Sequence, residues 1–302
     1  MKNKTFSIIV PCYNSEKTII PCIESILTAT NNLTEILQYE IIIVNDGSTD
    51  NTLSLLEKIK DITIINHNEN QGLASARNTG IEKSDAEYVV FIDSDVFIEK
   101  AWINTVLAAF NNNKNIIGIT GSLLLPPNKK PTTLDRYLFS SCRGSKKLDL
   151  EKPLKYKWFV FSNTIVRRNA LVQVGNFDEN LRSYGGEDTE LAIRIDKSFP
   201  ESLRQEKGSI GFHYSNKKLE DYLNNMFEYG KYNFYKIINK HPDYKQQLGG
   251  NIINSFLGYL FFNPIARLQC SLISKIVKHP LLIKFLVIDS FVRGARQSEK
   301  KI

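Results

Sequence analysis

Residues 6–10 (Phe-Ser-Ile-Ile-Val) form a short apolar run that stops at Pro11, the pattern of a strand buried on both faces. A helix follows from about Lys17 to Thr28. Its Pro21 is tolerated only in the first turn, where a missing N–H has no partner to lose. The run 40–44 predicts a second strand, after which Ser48 or Asp50 can cap a helix reaching Lys58. A strand over 62–66, a helix over 73–83 and a strand over 88–92 continue the alternation. Such alternation predicts an α/β fold with a mainly parallel central sheet flanked by helices. Ligands of such sheets bind beyond the carboxyl ends of the strands.

Beyond residue 125 the pattern loosens. Leu125–Pro131 reads as a loop, and 132–155 is polar and unassigned. A strand over 157–166, a helix over 168–174, a turn at Gly175–Asp178 and a helix from Asp188 to about Phe199 follow. After Lys217 the chain is mostly helical, with Leu219, Leu223, Met226, Phe227, Phe234 and Ile238 near helical spacing.

Charge divides the chain unevenly. The net charge is +7, yet residues 216–302 hold 14 Lys+Arg against 6 Asp+Glu, and the first 215 hold 25 against 26. A basic tail suits an acidic partner, and an anionic membrane surface or nucleic acid would qualify. No aromatic-basic stacking platform or groove-reading helix is evident, which argues against nucleic acid. Cys12, Cys22, Cys142 and Cys270 form no close pair, so a reducing cytosolic compartment is expected rather than disulfides or zinc. Met1–Thr5 leads straight into a strand with no secretory signal pattern.

Three strand ends carry compact polar groups to one rim: Pro11-Cys-Tyr-Asn14, Asn45-Asp-Gly-Ser-Thr-Asp50 and Asp93-Ser-Asp95. An isolated Asp-x-Asp is a weak signal, but at a strand end Asp93 and Asp95 can share Mg²⁺ or Mn²⁺ that also binds a diphosphate. One of the two can instead contact a ribose. Asp46 reads either as part of a turn or as the acceptor for a base N–H. Arg77 reads as a surface helix residue, or as a partner of carboxylates packed in by small neighbours. Glu187 and Asp188 open a helix, where acids cap N–H groups and suit the dipole, or one of them is a general base. His213 is structural, or a third metal ligand once the two carboxylates are accepted.

These segments occur together in family order. Ser7–Asn14, Val44–Asp50, Gly72–Gly80, Phe91–Asp95, Val174–Asp178 and Gly186–Leu191 resemble glycosyltransferase family 2 over roughly residues 5–215. The resemblance implies the GT-A fold (the nucleotide-diphospho-sugar transferase fold) and an inverting transfer, with a catalytic domain over 1–215. Its nucleotide-sugar half is 1–124, its acceptor half 125–215, and a basic helical region fills 216–302. The implied donor contacts are Pro11, Tyr13, Asp46, Arg77, Asp93 and Ser94. The implied metal ligands are Asp95, Asp93 and His213, for Mn²⁺ or Mg²⁺. Asp188 would be the base, with Glu187 beside it helping to arrange the acceptor. Apart from the resemblance, acceptor specificity is expected in 125–160 and the tail, with Gly186 and Glu187 at the acceptor and Arg136, Arg143 and Trp158 contributing, unless Trp158 is a core residue. Asn45 and Asn176 depart from the common family residues without removing a group the chemistry needs.

The expected activity moves a hexose or N-acetylhexosamine from a nucleotide-diphosphate sugar, UDP-linked first, to a glycan or lipid-linked hydroxyl. Bacterial surface polysaccharide or glycoconjugate synthesis in the cytoplasm, or at the inner face of the plasma membrane, fits that activity. A silent nucleotide-sugar binder is the competing reading. A dinucleotide oxidoreductase fails because β-strand one runs into Pro-Cys-Tyr-Asn rather than Gly-x-Gly-x-x-Gly. The apolar stretches 252–262 and 281–292 fall short of the roughly 20 residues of a spanning helix. They read as helices packed on the protein or on a second subunit, or as an interfacial anchor using Lys275, Lys278, Lys284, Arg293, Arg296, Lys300 and Lys301.

Overall fold

The alternating pattern becomes strands β1 (Phe6–Cys12), β2 (Tyr39–Asn45), β3 (Thr63–Asn66) and β4 (Tyr88–Ile92). Helices α1 (Ile19–Asn31), α2 (Thr52–Leu56) and α3 (Leu73–Lys83) lie between them. Pro21 falls in the first turn of α1, the position its missing N–H requires. Helix α2 is shorter than expected. The Asp50 carboxylate takes its Thr52 N–H (2.9 Å) and the Glu16 N–H (3.1 Å), tying its start to the loop after β1. Strand β5 (Val96–Ile98), helix α4 (Trp102–Asn112) and strand β6 (Gly118–Leu124) fill the stretch before residue 125.

The computed structural model describes residues 5–140, 143 and 152–299. Met1–Lys4, Cys142, much of the unassigned 132–155 stretch, and Lys300 and Lys301 of the expected anchor lie outside the described residues. The chain divides into two units. One comprises Met1–Pro127, Leu148–Glu179 and Glu187–Ser215, and the other Asn128–Lys147, Asn180–Gly186 and Asn216–Ile302. Two segments of the expected acceptor half thus cluster with the basic helical region.

The first unit also holds β7 (Asn163–Arg167), β8 (Leu203–His213), α6 (Arg168–Val174) and α7 (Glu187–Ser198); α5 (Thr133–Leu138) belongs to the second. The sheet is mixed, in the order β3-β2-β1-β4-β7-β6-β8-β5. Its β3-β2-β1-β4 half is parallel, as the βα alternation predicts, while β7 pairs antiparallel with both β4 and β6. The strand expected over 157–166 is split. Tyr156–Trp158 forms a single tight helical turn, and only Asn163–Arg167 joins the sheet. Phe159 and Phe161 are buried and meet edge to face at 5.1 Å, so their apolar character serves a side-chain cluster instead of a ladder.

Both faces of the parallel half are covered. Phe6, Ile8 and Val10 pack with Ile23 and Ile26 of α1 and Trp102 and Val106 of α4. On the other face a Cβ at Gly80 of α3 would lie 2.4 Å from Ile9, so the missing side chain lets α3 approach β1 closely. Helix α6 ends at Gly175 in the left-handed region (φ 91°), with Asn176 donating back to the Leu171 carbonyl at 2.9 Å.

The second unit is helical. Helix α8 (Leu219–Glu228) runs through a π turn at Tyr229–Asn233 into α9 (Phe234–Lys240). Then come α10 (Gly250–Ile253), α11 (Phe256–Phe261), α12 (Pro264–Ile276) and α13 (Pro280–Glu299). Phe234, Phe262, Phe291 and Val292 form its core. No helix among the described residues is long and apolar enough to cross a membrane.

Candidate active site

Arg77 organises the site. Its neighbours on α3 are small, and the side chain is buried at 1% exposure, so it is not the surface residue its helical position could suggest. Phe177, with Phe91 and Phe161 packed around it edge to face, lies beneath the guanidinium at 5.2 Å. From that apolar seat Nη1 donates to Asp188 Oδ1 (2.7 Å) and Nη2 donates to Asp93 Oδ1 (3.0 Å). One side chain thus joins the end of β4 to the start of α7. Burial opposes its charge, but Asp188, Asp93 and Glu187 outweigh burial and raise its pKa.

Asp188 is also fixed on its other oxygen, which accepts the Phe161 N–H at 3.1 Å. Glu187 lies deeper, with Oε1 3.9 Å from Arg77 Nη1 and Oε2 buried without a partner. Burial, then the charge of Asp188, push the Glu187 carboxyl up to about 7, with Arg77 opposing. The Asp93 carboxyl is also raised, by burial first and then, against Arg77, by Asp95 and Asp188. Three carboxylates (Asp93, Glu187 and Asp188) face one guanidinium, and Asp95 adds its charge beside Asp93, an arrangement short of positive charge.

Asp95 and His213 meet because Val96 pairs with His213 in the β5–β8 ladder. His213 Nε2 sits 3.1 Å from Asp95 Oδ2, and the Tyr214 N–H donates to the Asp95 carbonyl at 2.8 Å. Two of the three expected ligands are together, while Asp93 turns one oxygen to Arg77. Among the described residues no group of three His, Cys, Asp or Glu side chains is arranged to hold a metal ion. The set fits a hard cation nonetheless, since Mg²⁺ and Mn²⁺ commonly take one or two carboxylates and complete their shell with substrate phosphates and water.

The loops after β1, β2 and β4 are laced together along the rim. Asn14 Oδ1 accepts the Thr49 N–H (2.8 Å) and Ser15 Oγ lies 2.8 Å from Ser94 Oγ, joining the loops after β1, β2 and β4. Pro11 is within β1, and Tyr13 stands half exposed beyond it. Asp46 is 3% exposed and already engaged. Oδ1 accepts Gln71 N–H (2.9 Å) and contacts His67 Nδ1 (2.6 Å), and Oδ2 accepts Gly72 N–H (2.9 Å). His67 reaches on to the Thr79 hydroxyl at 3.0 Å. Gly47 has φ 68°, and a Cβ there would lie 2.4 Å from the Glu69 carbonyl carbon.

Trp158 is half buried, with Lys157 Nζ 5.3 Å over its ring. Arg136 is exposed on α5. Within the second unit Arg143 donates to the Tyr222 hydroxyl (3.1 Å), and Gly186 takes φ 98°. Several positioning residues escaped the sequence reading. Asn78 Oδ1 accepts the Phe177 N–H (2.9 Å) and its amide donates to the Phe177 carbonyl (3.0 Å), which seats the ring under Arg77. In the π turn, buried Asn233 donates to the carbonyls of Ser183 (2.7 Å) and Gly185 (2.8 Å), the loop that runs into Glu187. Asn78 lies inside a quoted motif and could have been found; His67 and Asn233 carry no local signal.

Known proteins share this arrangement of elements. Minor teichoic acid biosynthesis protein GgaB of Bacillus subtilis is 29% identical over 197 residues, 64% of this chain and 21% of its own length. The chain spans about a fifth to a quarter of the length of such curated relatives. S. aureus TarS 1–349 superposes with a TM-score of 0.55 at 18% identity, covering 99% of this chain and 92% of that one. TarS 1–349 has also been solved with UDP and with UDP-GlcNAc. The mannosyltransferase PcManGT from Pyrobaculum calidifontis, solved with GDP-Man and Mn²⁺, gives a TM-score of 0.64 at 16% identity over 98% of this chain and 87% of that one. Both structures carry the GT-A type of fold with the same mixed sheet and flanking helices. The profile of glycosyl transferase family 2 matches residues 7–175, and with the ordered strand-end motifs in place the chain belongs to that family.

Proposed function

We propose that the protein is an inverting glycosyltransferase that moves a hexose or N-acetylhexosamine from a nucleotide-diphosphate sugar to a hydroxyl of a glycan or lipid-linked acceptor. The observation that carries this reading is the forked Arg77, which ties Asp93 at the donor rim to Asp188 at the start of α7. In the proposed step the acceptor oxygen bonds to the anomeric carbon as the carbon–oxygen bond to the diphosphate breaks on the opposite face. The acceptor proton passes to Asp188, whose two oxygens are aimed by Arg77 and the Phe161 N–H. Asp95 and His213, with Asp93, would hold Mn²⁺ or Mg²⁺. Such a cation supplies charge stabilisation to the departing diphosphate. The crowding of Asp95 against Asp93, which raises the Asp93 carboxyl, favours a cation there.

Tyr13 would stack near the nucleoside, with Pro11 and Asp46 shaping its seat and Ser94 near the phosphates. UDP is the donor base we favour, because TarS binds UDP and UDP-GlcNAc on a similar fold. A surface glycopolymer is the acceptor class, in keeping with the teichoic acid role in the name of GgaB. Trp158, Gly186 and Glu187 would face that acceptor. A screen of UDP-, GDP- and dTDP-sugars for Mn²⁺-dependent hydrolysis tests the reading, with Asp188→Asn as control. Turnover of one donor class is expected. Donor binding without turnover, with every acceptor class offered, would favour a silent nucleotide-sugar binder instead.

A further inference from the structure

Helix α12 is built inside out. Ser274 is buried, and Arg267 reaches inward to donate to Asp289 of α13 at 2.5 Å. The apolar residues point the other way. Ile265, Leu268, Leu272 and Ile276, spaced three or four apart on one stripe, are exposed, Ile265 at 71% and Ile276 at 85%. Helix α11 adds Phe256, Leu257, Leu260 and Phe261, all more than half exposed. Of the 20 large apolar side chains exposed among the described residues, 12 lie between Phe256 and Leu281. Single exposed apolar residues are ordinary, but a run this dense marks an interaction surface.

Charge selects the occupant. From Tyr244 to Ser298 there are seven Lys or Arg and one acid, Asp289. Asp289 is buried between Arg267 and Arg293, so the segment offers no exposed negative charge. Lys275, Lys278 and Lys284 are exposed at the end of α12 and the start of α13. A second copy pressed face to face would set lysine against lysine. A plane of anionic headgroups offers the opposite charge, and the acyl boundary beneath it accepts the Ile and Leu stripe. Helix α12, about 20 Å long from its 13 residues, is too short to cross a bilayer but suited to lie in its surface.

We propose that α11 and α12 form a membrane-docking surface. Phe256, Leu260, Leu268, Leu272 and Ile276 enter the acyl boundary of an anionic leaflet, and Lys275, Lys278 and Lys284 sit among its headgroups. The inference is independent of the transfer chemistry, because it uses none of the residues assigned to it.

Flotation of the full chain with lipid vesicles tests this. At low salt the protein is expected to float with phosphatidylcholine–phosphatidylglycerol vesicles and to stay behind with phosphatidylcholine alone. Leu272→Glu with Ile276→Glu alters two exposed side chains and is expected to weaken binding at least about tenfold. Lys275→Ala with Lys278→Ala should weaken it by about fivefold per lysine, and provides a second variant should the first melt early by circular dichroism. Failure to float with anionic vesicles, equal flotation with neutral ones, or full binding by both variants overturns the proposal. So does a dimer in vesicle-free buffer that the glutamate variant converts to monomer, which would give this face to a second copy.

Discussion

Arg77 donates to Asp188 at 2.7 Å while its other terminal nitrogen donates to Asp93 at 3.0 Å, so one buried guanidinium sets the distance between two strand-and-helix ends. Arg77→Lys keeps the charge and loses the fork. It is expected to lower transfer by roughly 100-fold, the scale of an ångström-sized misplacement of reacting groups. Arg77→Met removes the charge as well and should cost about 3–5 kcal/mol of stability, because it leaves buried carboxylates uncompensated. Steady-state kinetics on the first variant and chemical denaturation of the second check these outcomes.

Asp46 holds the backbone of Gln71 and Gly72 and the ring of His67. Asp46→Ala leaves those donors unpaired, at about 1–3 kcal/mol for each buried group. Donor affinity measured by calorimetry should fall along with the melting temperature. A variant that melts early yet binds UDP as tightly as the parent would confine Asp46 to holding the loop.

The Glu187 carboxyl is lifted from an ordinary 4.5 to about 7 by burial and the neighbouring Asp188. Between those values the folded chain binds a proton that the unfolded chain has released. The stability this group contributes is therefore full below about pH 4.5 and is lost as the pH rises through about 7. Glu187→Gln cannot titrate, so its melting temperature should gain on the parent's across that window. Melting curves that run parallel with pH would contradict the assignment.

Chelation and two ligand variants test the cation. Exhaustive EDTA treatment is expected to abolish transfer and added Mn²⁺ to restore it. Asp95→Ala is expected to reduce turnover by roughly 100-fold or more, and His213→Ala to raise the Mn²⁺ concentration needed for half activity about tenfold. Unchanged activity after chelation would remove the metal from the account.

The parallel half of the sheet was legible because short apolar strands alternate with helices, β1 and β4 being buried along their whole length. Helix 73–83 and strand 88–92 match the structure residue for residue. The mixed half, β7-β6-β8-β5, was not, because β7 follows a phenylalanine-rich stretch in which apolar residues serve the cluster beneath Arg77 rather than a ladder. The carboxylates were visible as motifs at strand ends. Arg77 was readable as a partner of carboxylates, but not that Asp188 is one of them, since that contact spans 111 positions and depends on Phe177 seated by Asn78. The apolar stretches 252–262 and 281–292 read as packed helices or as an interfacial anchor; α12 lies between them, and its outward apolar stripe shows only in its burial.

The most direct test is Asp188→Asn, which keeps the shape of the side chain and one of its two accepted hydrogen bonds but removes the base. UDP-sugar binding should stay within about twofold of the parent, and transfer to the acceptor should fall by roughly 100-fold to 10,000-fold. Transfer near the parental rate by that variant would contradict the central claim.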